Sequence, residues 1–116
     1  MQNIADIFKV LGDPIRLRLA ILLANKGETC VCMLAHALDE PEFKISRHLG
    51  IMRSVGIAKS RRQGTWMYYQ LINPRHGLDR SLQKCLQDCL TDNETVKADL
   101  SRLKKATCHG PNGKIK

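Results

Sequence analysis

Long apolar runs are missing from this chain, and so are most of the patterns that mark an enzyme. The first ten residues, MQNIADIFKV, carry Asp6 and no extended hydrophobic stretch. Neither a secretory signal nor a membrane-spanning helix is expected, so the chain is expected to be cytoplasmic with no membrane partner. There is no glycine-rich phosphate loop, no carboxylate pair, no Cys-x-x-Cys and no cysteine set beside an evident basic partner. Those absences leave no sequence case for a thiol oxidoreductase, for any other enzyme or for an organic cofactor. Aromatic residues are scarce, with two Phe, two Tyr and one Trp, so Leu, Ile, Val, Met and Ala must build the core. No internal repeat or low-complexity tract is present, and 116 residues suffice for one core but not two.

Acidic residues are the minority among the charges. Nineteen Lys and Arg against eleven Asp and Glu give a formal charge of +8, an excess that favours a polyanionic partner. Five cysteines stand at positions 30, 32, 85, 89 and 108. An odd number in a chain without an export signal is expected to remain as thiols. Packing, metal binding and redox sensing are the uses left open to them.

The apolar residues that remain fall into helical spacing. Ile4, Ile7, Phe8 and Leu11 mark one face of a first helix closed by Gly12. Asp13-Pro14 supplies a capping acceptor and a proline at the start of a second, with Ile15, Leu19, Leu22 and Leu23 on its stripe and Lys26-Gly27 at its end. Thr29 is read as the cap of a short third helix that buries Val31, Leu34 and Leu38 and ends near Asp39. Pro41 suits the first turn of a fourth, which buries Ile45, Leu49 and Met52 and ends at Gly56. A short helix, a tight connection and a helix with one apolar stripe and a basic opposite face outline a helix-turn-helix. Ile57–Ser60 and Trp66–Leu71 then read as strands around Arg61-Arg62-Gln63-Gly64-Thr65, a β-hairpin wing with a basic tip. From Leu78 to about Lys105 one long helix is expected, with Leu78, Leu82, Cys85, Leu86 and Cys89 on a stripe that Val96, Leu100 and Leu103 continue. The domain is thus expected to span residues 1–106, followed by a flexible tail over 107–116.

Burying Ile45, Leu49 and Met52 turns Phe43, Arg47, Gly50 and Ser54 the other way, flanked by Lys44 and Ser46. Arg47 suits a bidentate contact to guanine, Ser46 a base edge or phosphate, and Phe43 a thymine methyl. Lys44 and Arg53 suit phosphates, while Arg61, Arg62 and Gln63 at the wing suit either the backbone or the adjacent minor groove. His48 lies at the edge of the buried stripe, where it serves either as hydrogen-bonded structure or as a phosphate contact.

These residues resemble the ArsR/SmtB family of arsenical-resistance and metal-sensing repressors. The resemblance is carried by Leu11-Gly12-Asp13-Pro14-Ile15-Arg16-Leu17, Thr29-Cys30-Val31-Cys32-Met33-Leu34, Lys44-Ile45-Ser46-Arg47-His48-Leu49 and Arg62-Gln63-Gly64-Thr65-Trp66-Met67-Tyr68-Tyr69. It implies a mainly α winged helix-turn-helix with a small β-hairpin. It also implies a homodimer built through the first and last helices, bound to double-stranded operator DNA and released when an inducer binds. Cys30-Val31-Cys32 looks like the inducer site of arsenic- and antimony-responsive members, although the third cysteine those often carry is Ala35 here. Cadmium- and lead-responsive members complete such a pair with N-terminal cysteines, which this chain lacks. Zinc-responsive relatives use Asp and His on the last helix, and residues 78–105 contain no His.

Thiolates suit thiophilic ions, so trivalent arsenic or antimony is the expected inducer. Cys108 is the candidate third ligand; Cys85 and Cys89, spaced i, i+4, are an alternative pair or small hydrophobes of the apolar stripe. A thiol redox-responsive repressor and a cadmium or lead sensor are the rival readings. On a regular helix residues i and i+2 point about 200° apart. Chelation by Cys30 and Cys32 is therefore expected to need the first turn of the third helix to unwind or shift.

Overall fold

Asp13 starts the main helix of the protein: its carboxylate accepts the Ile15 and Arg16 backbone N–H groups at 3.0 and 3.1 Å, leaving Pro14 where no donor is lost. The computed structural model describes residues 2–106; the expected tail 107–116, with Cys108, lies outside the described residues. In chain order the elements are α1 (Gln2–Leu11), α2 (Pro14–Lys26), β1 (Thr29–Cys30), α3 (Val31–Leu38), α4 (Glu42–Ser54), β2 (Ala58–Gln63), β3 (Trp66–Leu71), α5 (Gly77–Asp88) and α6 (Glu94–Lys105). Leu19 and Leu22 of α2, Leu34 of α3 and Ile45, Leu49 and Met52 of α4 are fully enclosed. Each such side chain contributes about 1.5–3 kcal/mol by leaving water, and together they lock the helix-turn-helix onto α2.

The hairpin is one part of a three-stranded antiparallel sheet in the order β1-β3-β2. Its turn is Gly64-Thr65, since Gln63 pairs with Trp66. Gly64 has φ +64°, a first-position left-handed conformation that glycine adopts without steric cost. The third strand was not expected. Thr29 pairs with Tyr69 and Cys30 with Tyr68, so Thr29 is a strand residue whose hydroxyl donates to the Gly27 carbonyl at 2.8 Å. Cys30, in extended backbone, takes the capping position of α3 in its place.

The expected helix over 78–105 is two helices. Asn93 interrupts it, accepting the Thr95 and Val96 N–H groups at 2.9 and 3.2 Å as the cap of α6, and α6 folds back against α2 and α3. Packed on α2, α5 buries Leu86, and the fold-back buries Val96 and Leu103, all within one chain. It also places Asp99, 1% exposed, between two guanidinium groups. Arg18 on α2 donates to both its oxygens at 2.9 and 2.8 Å, and Arg102 donates at 2.7 Å. Arg102 further donates from Nε to the Ala37 carbonyl near the end of α3 at 2.6 Å. A buried carboxylate needs this pairing, and breaking such a pair costs about 3–5 kcal/mol. No helix among the described residues is long and apolar enough to cross a membrane.

Candidate nucleic-acid interface and thiol site

The turn between α3 and α4 is closed by Asp39, which adopts the left-handed conformation at φ 55°, while the Glu40 N–H reaches back to the Ala35 carbonyl at 3.0 Å. That geometry satisfies the last carbonyls of α3 and delivers Pro41 as the cap of α4. From there α4 presents Phe43, Ser46, Arg47, Arg53 and Ser54 to solvent. Phe43 is 73% exposed, which no packing role explains. Lys44 is half-buried and held by Glu40 at 3.1 Å.

The wing's two faces have different company. On one, Ser60 accepts a hydrogen bond from Arg53 at 3.0 Å, tying β2 to α4. Arg62, two residues along the strand, shares that side and is exposed. On the other, Arg61 is clamped by Glu28 through Nε and Nη2 at 3.0 and 2.8 Å, touches Gln63 at 3.1 Å and lies 4.8 Å over the Tyr68 ring. The Arg61 guanidinium holds the Glu28 carboxyl below its ordinary range. Arg61 and Gln63 are thus placed together on the Glu28 side, apart from Arg62. Glu28 and Ser60, which organise both faces, carry no motif that sequence reading singles out.

His48 is turned inward. It is 9% exposed, its Nδ1 3.3 Å from Arg16 Nη1 and 4.0 Å from the Asp13 carboxylate. Arg16 donates, so Nδ1 accepts and the neutral ring carries its proton on Nε2. Burial pushes the His48 pKa below its ordinary value, against the pull of Asp13. The histidine hooks α4 to the start of α2, on the side away from Phe43 and Arg47.

The expected thiol sites separate. Cys30 is 1% exposed within β1, and Cys32 stands half-buried in the first turn of α3 beside an open groove that His36 and Glu40 also line. The pair therefore straddles a strand-to-helix junction, and the regular-helix angle expected between Cys30 and Cys32 does not apply. Cys32 is disulfide-bonded, a correction to the expectation that every cysteine stays a thiol. Cys30, Cys85 and Cys89 are free. Cys85 and Cys89 are exposed in the single chain, outside the core that α5 covers with Leu86; Cys89 caps α5. Among the described residues no group of three or more Cys, His, Asp or Glu is gathered around a point that an ion could occupy.

Comparison with known proteins agrees with this geometry. A family model described as bacterial regulatory protein, arsR family, matches residues 13–60, from the cap of α2 into β2. The chain is 36% identical to an arsenical resistance operon repressor of Escherichia coli over 95% of its own length and 92% of that protein. It is 46% identical to the arsenic resistance transcriptional regulator ArsR2 of Pseudomonas putida over 81% of its length and 79% of the relative. A cadmium resistance regulatory protein homolog from Staphylococcus aureus is 38% identical over 60% of the chain and 58% of the relative. In fold it is similar to a transcriptional regulator homologue from Pyrococcus horikoshii, with a TM-score of 0.56 and 17% identity over 87% of this chain and 96% of that one. The winged helix-turn-helix, the exposed basic face of α4 and these relatives together place the chain in the arsR family of bacterial regulatory proteins, as a DNA-binding transcriptional regulator and not an enzyme.

Proposed function

We propose that the protein is a homodimeric repressor that reads operator DNA with α4 and the wing and releases it when trivalent arsenic or antimony binds Cys30 and Cys32. Phe43, Ser46 and Arg47 face the bases of the major groove, while Lys44, Arg53 and Arg62 follow phosphates. Arg61 and Gln63 reach the backbone only by way of the Glu28 clamp, and His48 acts by orienting α4. The dimer is closed across α1 and the last helices. Support comes from Ile4 and Phe8, which are 39% and 53% exposed on α1. The leucines of the last helices support it less than their number in the sequence suggests, because Leu86 and Leu103 are buried within one chain.

The observation that carries the inducer reading is the pairing of Cys30 with Tyr68, which puts the thiol inside the same sheet as the wing. An ion that draws Cys30 toward Cys32 pulls β1 from β3 and disturbs the wing and the first turn of α3 together. Cys108, as third thiolate, is our assignment for a trigonal site. The arsenic-resistance names of the relatives favour the same ion. The cadmium-resistance relative keeps cadmium and lead as competitors.

The test is anisotropy of a labelled duplex, selected from random sequence by the protein itself, under reducing conditions with arsenite, antimonite, cadmium and zinc titrated separately. Release by arsenite and antimonite ahead of the divalent ions is expected. Release by cadmium alone overturns the metalloid assignment. A second reading, a thiol redox switch, is favoured by the disulfide at Cys32; it requires release by oxidant and none by arsenite.

A further inference from the structure

Between Glu42 and Asp79 the sequence holds no Asp or Glu, although Lys44, Arg47, Arg53, Lys59, Arg61 and Arg62 all fall there. Beyond the first residue of α4, the recognition helix and the whole hairpin are therefore free of negative side chains. The acid that meets the hairpin comes from outside it. Glu28 stands just before β1, opposite Gln70 of β3 by continuation of the Thr29–Tyr69 register. Its carboxylate takes Arg61 side-on through Nε and Nη2 at 3.0 and 2.8 Å, and Gln70 donates to the same carboxylate at 3.4 Å.

An arginine grips a phosphate with the same planar fork that it offers a carboxylate. Glu28 thus occupies the Arg61 donors that a DNA backbone would need. The remaining nitrogen, Nη1, donates to Gln63 at 3.1 Å, and the guanidinium carbon lies 4.8 Å over the Tyr68 ring. Arg62, on the opposite side of β2, is exposed and outside this arrangement. Folding does not account for the clamp, because its side chains are 49% and 29% exposed and exposed ion pairs, screened by water and salt, contribute little to stability. Arg61, aided by Lys59, holds the Glu28 carboxyl below its ordinary range, so the carboxylate stays charged at neutral pH.

We propose that Glu28 is a built-in phosphate mimic that competes with DNA for Arg61, leaving Arg62 as the wing's free phosphate contact and restraining affinity for any duplex. The proposal rests on the reading of the wing as a DNA contact. Glu28 touches no DNA; it is a positioning residue that keeps one cation out of use. The restraint acts on counterion release. Each phosphate contact changes the logarithm of the binding constant by about 0.9 per tenfold change in salt. Freeing Arg61 adds one such contact, which is worth about eightfold in affinity for each tenfold dilution of salt.

The test is anisotropy of two labelled duplexes, one selected from random sequence by the protein itself and one unrelated, at several salt concentrations. Glu28→Gln is expected to tighten both by about five- to tenfold at about 0.1 M salt and to steepen the salt slope by about 0.9. Glu28→Ala should do the same, and native far-UV circular dichroism in either variant excludes a folding effect. Arg61→Ala alone should change binding little, and Glu28→Gln/Arg61→Ala should return to native affinity and slope. Unchanged or weakened binding by both Glu28 variants overturns the proposal. Equal tightening by Glu28→Gln with Arg61 absent also overturns it, since simple charge repulsion would then suffice. So does an Arg61→Ala loss as large as that of Arg62→Ala. A native slope in Arg62→Ala removes the wing reading itself, whereas a lowered slope there with an unchanged slope in Glu28→Gln removes the restraint alone.

Discussion

Cys30 lies directly opposite Tyr68 in the β1–β3 ladder, and the Tyr68 ring in turn carries the guanidinium of Arg61 at 4.8 Å. A thiol, the central strand of the wing and a basic side chain are thereby stacked in one sheet. Cys30→Ser and Cys32→Ser should each leave operator binding intact while abolishing its release by arsenite. Cys108→Ser should weaken the response without removing it. Coupling is reciprocal, so bound operator should lower arsenite affinity by the factor by which arsenite lowers operator affinity. Loss of release on changing only Cys85 and Cys89 would move the sensor to α5 and end the Cys30–Cys32 assignment.

Arg47→Ala and Arg62→Ala should both weaken DNA binding, in different ways. Arg47 is exposed on α4 and its removal leaves Ile45, Leu49 and Met52 enclosed, so the fold should persist. The loss should be about 1–3 kcal/mol on the preferred site and much less on unrelated DNA. Arg62→Ala should weaken all sequences alike and reduce the salt slope by about 1. Competition binding at several salt concentrations separates the two; altered sequence preference in Arg62→Ala would refute its phosphate role.

Phe8→Glu should give a monomer that keeps its helices, because Phe8 is 53% exposed within one chain and its loss opens no internal cavity. Sedimentation velocity at micromolar concentration reads this directly. A native chain already monomeric at that concentration would remove the dimer from the proposal.

Stability should fall on mild acidification because of His48. Burial holds its folded pKa below the ordinary 6.5, so the unfolded chain takes up a proton first as pH drops. The stability it protects is complete above 6.5 and is lost progressively toward the folded pKa. Urea midpoints from pH 7.5 downward should decline, and His48→Gln should flatten that decline. Parallel curves for the two proteins would show that other groups govern it.

The helix-turn-helix and the hairpin were legible because each rests on strong local signals: the Asp13-Pro14 cap, the stripe of Ile45, Leu49 and Met52, and Gly64 at the turn. β1 was not, since two residues show no periodicity and Thr29 reads equally well as a helix cap until Tyr69 is known to lie beside it. The division of the last helix was written in Asn93, whose capping role the continuing spacing of Val96, Leu100 and Leu103 concealed. Within α5 itself the side turned to the core carries Leu82 and Leu86, and Cys85 and Cys89, which share the apolar stripe by spacing, are exposed in the single chain. The Glu28 clamp on Arg61 and the inward turn of His48 depend on partners 33 and 32 residues away, and no local pattern announces such pairings.

The hydrogen bond from Arg102 to the Ala37 carbonyl gives α3 a fulcrum. Its far end is anchored to the Asp99 cluster, while its near end begins at Cys30 in the sheet. Force applied at Cys32 therefore cannot be absorbed by sliding α3 along its own axis. On the proposed mechanism it would become tilt about Ala37, two residues from the left-handed Asp39, and would carry α4 with it.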